Sequence, residues 1–262
     1  MPRNLTDIQN FLFDMDGTLY LGPRVFPGTI ELLSGLRKQG KRFLLLTNNS
    51  SKSVPEYREH LAQLGIDVTE DEIFTSATAT ILYLHQRRPG ARLFLLAAPG
   101  VTEEFRRAGF QIVDDQPEFV VLTFDRTLTY EKLRKACGMI LRGATFVATH
   151  PDLVCPTDEG PIPDCGSMIR LITAATGAEP KIPGKPNREM IEFALARLNA
   201  QPQSTAIVGD RLYTDMKMGL NAGLTTILVL TGETTREAVD REPQPPDYIV
   251  ESVADLAKLL GG

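Results

Sequence analysis

The chain contains no tryptophan, three histidines and three cysteines among 262 residues. The cysteines, Cys137, Cys155 and Cys165, are odd in number and have no metal-ligand spacing. That argues against a disulfide framework and a thiolate zinc site and favours free or buried reduced thiols. No apolar run approaches the ~18 residues of a membrane span, so no membrane partner is expected. Basic charge is also not in excess. Lys+Arg is 28 against Asp+Glu 33, a net charge of −5, which gives no global pull toward nucleic acid or anionic lipid. The opening MPRNLTDIQNFLFDMDGTLY carries acids too early for a secretory signal, so a cytoplasmic location is expected. Without such a signal, the glycosylation-type triplets at Asn4 and Asn49 are chance matches. Repeats and low-complexity tracts are absent too. What remains is 42% hydrophobic and 23% charged residues, an ordinary globular composition for one large or two modest domains.

Short apolar runs alternate with runs of helical spacing. Strands are predicted at Phe11–Phe13, Phe43–Leu46, Leu93–Ala97, Phe119–Phe124, Thr145–Thr149, Ala206–Val208, Thr226–Leu230 and Tyr248–Val250. Helices are predicted between them, among them Ile30–Gln39, Tyr130–Leu141, Ser167–Thr176, Asn187–Leu198 and Asp215–Ala222. Such alternation implies βαβ units and a parallel sheet. Ligands of these sheets bind at the carboxyl ends of the strands.

Four polar pieces fall at such places. Asp14 and Asp16 follow the first apolar run, and Gly17 then permits close backbone approach. Thr47, Asn48, Asn49 and Ser50 follow the second run and offer hydroxyl and amide donors for an oxyanion, or a plain helix cap. Lys185 stands between Gly184 and Pro186 on a restrained turn. Asp210 follows Ile207-Val208-Gly209, and Asp215 falls near a helix start, where an acid is favourable in itself. Taken singly, the Thr47–Ser50 and Lys185 pieces are common surface chemistry.

Taken together and in this order, DMDGT, a strand ending in TNN, GKPN and GDRLYTD resemble the signature of the haloacid dehalogenase superfamily of phosphohydrolases. FVVLTFDRTLTYEKL and ATHPDLVCPTDEGPIPDCGS resemble segments of its class IIA, p-nitrophenyl phosphatase-like (NagD-like) subfamily. The resemblance implies an α/β fold: a Rossmann-like parallel sheet with helices on both faces, plus an inserted α/β class II cap. The core would be residues 1–77 and 182–262, and the cap residues 78–181. The implied enzyme is a Mg²⁺-dependent phosphatase of small phosphorylated metabolites that works through an aspartyl-phosphate. Asp14 would be the nucleophile and Asp16 the acid/base. Mg²⁺ would be held by Asp14, Asp16 and Asp210, with Asp215 nearby. Gly17, Thr47, Asn48 and Lys185 would bind phosphate. Asp125, Arg126, His150, Asp152 and Asp158, in polar cap loops, are candidate substrate contacts. His60 and His85 receive no role.

Two other readings remain at this point. One is a receiver-like or phosphate-binding signalling protein phosphorylated on Asp14. Such domains are shorter and lack a cap-sized insert. The other is a phosphomutase, which also uses two Asp residues; the stretch from Tyr20 to Leu46 is too short for the helical cap of those enzymes. Homo-oligomer formation is open.

Overall fold

The computed structural model describes residues 3–157 and 159–261. The chain forms two compact units. The first comprises Met1–Thr47, Tyr57–Phe74 and Pro186–Gly262, and the second Asn48–Glu56 and Thr75–Lys185. Residues 78–181, the predicted insert, fall inside the second unit.

The first unit is built on a six-stranded sheet. Its order is Tyr248–Val250, Thr225–Val229, Thr205–Gly209, Asn10–Asp14, Arg42–Thr47, Ile73–Thr75. The four pairings from Tyr248–Val250 to Arg42–Thr47 are parallel. The central strand Asn10–Asp14 is buried along its whole length. Its Phe-Leu-Phe sequence follows from that, because helix-covered parallel strands have no solvent face on which to alternate. The first strand of the chain lies in the middle. The next strands pack to one side of it and the last three to the other. This reversal is the topological switch point, where connections diverge and leave a crevice at the carboxyl edge. Phe13 pairs with both Leu45 and Val208, so Asp14, Thr47 and Asp210 all leave the sheet at that edge.

The second unit has a four-stranded parallel sheet in the order Gln111–Ile112, Arg92–Leu96, Phe119–Leu122, Thr145–Ala148. Helices Tyr130–Leu141 and Cys165–Thr176 supply Met139, Ile140, Ile169 and Ile172 to a core with Phe94, Leu122 and Phe146. Asp164 caps the second helix by accepting the Cys165 N–H.

The long predicted elements are present with ends shifted by a few residues. Very short elements escape a periodicity argument. These include Ile73–Thr75, Gln111–Ile112 and the hairpins Tyr20–Leu21/Arg24–Val25 and Val154–Cys155/Ile162–Pro163. One difference matters for the site. In place of a helix that starts at Asp215, a π-helical turn covers Leu212–Met216 and an α-helix follows at Lys217–Ala222. The turn closes with Met216 N–H donating to Arg211 O at 3.2 Å. Among the described residues, no helix is long and apolar enough to cross a membrane.

Burial pushes the Cys165 thiol up to about 12. At pH 8 it is therefore a thiol rather than the reactive thiolate. In the folded protein a disulfide reagent at pH 8 should leave Cys165 unmodified by peptide mass, and denaturant should make it react. Rapid native labelling would show that the start of this helix opens.

Candidate active site

Three carboxylates converge in the first unit. Asp14 ends the central strand, Asp210 follows strand Thr205–Gly209, and Asp215 sits on the π-helical turn. One ligand oxygen from each lies within 4.8 Å of the others, and all three residues are buried. The backbone is shaped to allow this. A Cβ on Gly17, whose φ is +87°, would lie 2.6 Å from Asp210 Oδ2. A Cβ on Gly209 would lie 2.5 Å from the Asp215 side chain, and one on Gly232 would collide with Asp210. Glycine at all three places lets carboxylates occupy space that side chains would fill. The Glu233 N–H donates to Asp210 Oδ2 at 2.7 Å, and Thr18 Oγ1 donates to Asp14 Oδ2 at 3.5 Å.

Asp16 is the least buried of the four acids. It lies in the turn after Asp14 and bridges to Tyr20, while Gly17 N–H donates to Tyr20 O at 2.8 Å and Thr231 Oγ1 donates to Gly17 O at 2.7 Å. Burial, with the charges of Asp16, Tyr57 and Asp14, pushes the Tyr20 phenol well above its usual range. Tyr20 therefore remains a neutral hydroxyl beside the acids.

The second unit holds another pair. Asn48 Oδ1 accepts the Lys185 N–H at 2.9 Å, and Asn48 Nδ2 donates to Lys185 O at 3.0 Å. The same amide donates to Asp152 Oδ2 at 3.1 Å. A Cβ on Gly184 would collide with Thr149 O and lie 3.0 Å from Asn48 Oδ1. The glycine before Lys185 is thus a packing requirement. Thr47, Asn48 and Lys185 are all buried.

The chain as a whole has close relatives. Models of haloacid dehalogenase-like hydrolases match residues 11–111 and, as HAD-hydrolase-like, residues 182–256. A dihydroxyacetone phosphatase of Corynebacterium glutamicum is 39% identical over 95% of this chain and 90% of its own. The structure of a 4-nitrophenylphosphatase from Thermotoga maritima superposes with a TM-score of 0.95 at 43% identity, over 98% of this chain and 99% of its own. The chain belongs to the haloacid dehalogenase superfamily. Its likeness to NagD from Escherichia coli K-12 places it in the NagD-like, p-nitrophenyl phosphatase-like group: TM-score 0.89, 35% identity, 95% of this chain and 98% of that one. It is a phosphoric monoester hydrolase.

Among this phosphatase's five candidate substrate residues, the structure separates the four it describes. Asp125 is fully buried, accepts from the Thr127 backbone and hydroxyl, and pairs with Lys132 Nζ at 2.8 Å. His150 is also fully buried, with its ring between Asp164 and Thr149. Both side chains are occupied in holding the second unit together. Arg126 is exposed and Asp152 half-buried. Asp158 lies outside the described residues. Sequence reasoning missed Gly232 and Glu233, which shape and bond Asp210, and Thr149 and Asp164, which flank the His150 ring. The two glycine-flanked acids could have prompted a search for a third glycine near Asp210; the others carry no local signal.

Gly17→Ala should disturb the carboxylate cluster and spare the fold. A Cβ there meets Asp210 and sits at unfavourable φ. The expected loss in kcat/KM is at least about tenfold, or roughly 1.4 kcal/mol of transition-state stabilisation, with a cooperative melt retained. Unchanged kinetics would show that the Asp210 carboxylate has room to move.

Proposed function

We propose that this phosphatase hydrolyses small phosphorylated metabolites in a Mg²⁺-dependent reaction that passes through a phosphoenzyme on Asp14. One observation carries the reading: the buried convergence of Asp14, Asp210 and Asp215 within 4.8 Å, with Asp16 two residues from Asp14. The small-phosphomonoester class is supported by likeness to enzymes named for dihydroxyacetone phosphate and 4-nitrophenyl phosphate. Residues 78–181 would serve as the cap that selects among such substrates.

The donor set fits a hard divalent cation. It consists of carboxylate oxygens, and glycines keep other side chains out of the space beside them. Asp14, Asp210 and the Asp16 carbonyl would hold Mg²⁺, with Asp215 close by. When bound, the ion supplies the positive charge that lets an anionic carboxylate meet an anionic phosphate.

The chain's own groups then perform two displacements. An Asp14 oxygen attacks phosphorus, and the bond to the leaving oxygen breaks as Asp16 protonates it. Asp16, now a carboxylate, takes a proton from water, which attacks the phosphorus of the aspartyl-phosphate. Inorganic phosphate leaves and Asp14 is restored. Thr47, Asn48 and backbone N–H groups near Gly17 would hold the phosphoryl oxygens, and Lys185 would offset their charge. Asp16 is less buried than the metal-binding acids, which suits a group that must meet leaving alcohol and water in turn. Arg126 and Asp152 are the candidates for contact with the rest of the substrate.

The direct test is hydrolysis of p-nitrophenyl phosphate with Mg²⁺. Asp14→Asn should abolish phosphate release with the fold retained, because an amide is not a nucleophile. Substantial turnover by pure Asp14→Asn protein, or full activity of wild type in EDTA, would refute the mechanism.

Asp16→Asn should separate the two steps. Nitrophenolate leaves without a proton, so the first step should partly survive, while water lacks its base in the second. A burst of nitrophenol and a phosphoprotein seen by intact mass are expected, with alkyl phosphates losing far more rate. An equal fractional loss for both substrate types, with no phosphoprotein, would give Asp16 another role.

A further inference from the structure

His150 is fully buried and both of its ring nitrogens are engaged. Nε2 lies 2.9 Å from Asp164 Oδ1, and that oxygen also accepts the Cys165 N–H. A carboxylate accepts, so Nε2 carries the proton and Nδ1 is an acceptor. Nδ1 lies 3.0 Å from Thr149 Oγ1, and Thr149 Oγ1 lies 2.8 Å from Ser50 Oγ. Ser50 Oγ in turn accepts the Phe124 N–H at 2.9 Å. Thr149 Oγ1 also lies 3.7 Å from Cys165 Sγ, the longer and weaker of its two acceptors; with its proton given to Nδ1 of a neutral imidazole, the chain runs in one direction. Phe124 N–H donates to Ser50, Ser50 to Thr149, Thr149 to Nδ1, and Nε2–H to Asp164. Ser76 Oγ is 3.4 Å from Nδ1, with its own proton committed to Asn48 O.

Around this imidazole meet segments that are distant in the chain. Ser50 belongs to the Thr47–Ser50 loop. Thr149 O accepts the Gly184 N–H at 2.9 Å, next to Lys185. Asn48 is bonded to Lys185 on one side and to Ser76 on the other. We infer that His150 is a positioning residue: through Thr149 and Ser50 it fixes the loop and turn that present Asn48 and Lys185 to phosphate. The inference rests on the phosphate-binding role proposed for that pair.

The role is selective for Nδ1, because that nitrogen faces the loop, and Nε2 faces only the helix start at Asp164. His150→Asn places a carboxamide oxygen near the Nδ1 position and keeps an acceptor for Thr149. His150→Gln reaches toward Asp164 and leaves Thr149 without one. Thr149→Val keeps the shape and breaks the chain, so it serves if His150→Ala does not fold.

The experiment is steady-state hydrolysis of p-nitrophenyl phosphate together with product inhibition by inorganic phosphate, each variant checked by thermal melt. In His150→Ala and Thr149→Val, KM and the phosphate inhibition constant should rise together by about tenfold, the scale of one lost hydrogen bond. His150→Asn should return close to wild type and His150→Gln should not. A merely structural role would lower the active fraction, and so kcat, with the inhibition constant unmoved. Folded His150→Ala and Thr149→Val with unchanged KM and inhibition constant would overturn the inference, as would rescue by Gln in place of Asn. In either case a turning-over wild type leaves the phosphatase mechanism standing. A wild type that releases no phosphate overturns both.

Discussion

Like charge crowded into a buried place is the constraint on which the rest of this structure depends. Asp14, Asp210 and Asp215 bring three carboxylates within 4.8 Å of one another. At such separations each pair repels by roughly 4 kcal/mol for an effective dielectric near 20. No packing of apolar side chains offsets that. Hydrogen bonds and space accompany the crowding: an N–H of the loop after strand Thr225–Val229 bonds Asp210, the Thr18 and Thr214 hydroxyls bond Asp14 and Asp215, and glycines at 17, 209 and 232 admit the acids where a Cβ would collide. A cation held there, as proposed, would offset that repulsion. The sheet order serves the same end. With the first strand in the middle, the ends of strands far apart in sequence become neighbours, and acids that follow two of them meet.

How much of this could be read from the sequence follows from what range of the chain each feature needs. Acids that directly follow a buried apolar run are visible locally, so Asp14, Asp16 and Asp210 stand out, as do the long helices with their periodic faces. The π-helical turn at Leu212–Met216 is not visible. Its residues have helical spacing, and the widened turn is seen only in the structure, where it carries Asp215 beside Asp14 and Asp210. Gly232 looks like any loop glycine until Asp210 is seen against it. Asp125 and His150 show the opposite difficulty. Their types and loop positions suit substrate binding, but a sequence does not say which way a side chain points. Both turn inward, where buried polar atoms must find partners, and both have found them.

The two units hold their polar clusters by different means. The first holds its acids with a sheet, in which neighbouring residues are fixed by ladder hydrogen bonds and a displaced strand would carry several with it. The second holds Asn48 and Lys185 with side-chain bonds: amide to backbone, hydroxyl to hydroxyl, imidazole to carboxylate. Such a network is satisfied only as a whole, because removing one member leaves another's polar atom buried without a partner. The chain crosses between the units at Thr47/Asn48, Glu56/Tyr57, Phe74/Thr75 and Lys185/Pro186; of the residues proposed to bind phosphate, Asn48 and Lys185 belong to the second unit, and Gly17 and Thr47 to the first. On the proposed roles, changes around Asn48 and Lys185 would act first on phosphate affinity, whereas changes at the strand ends would act first on the carboxylates.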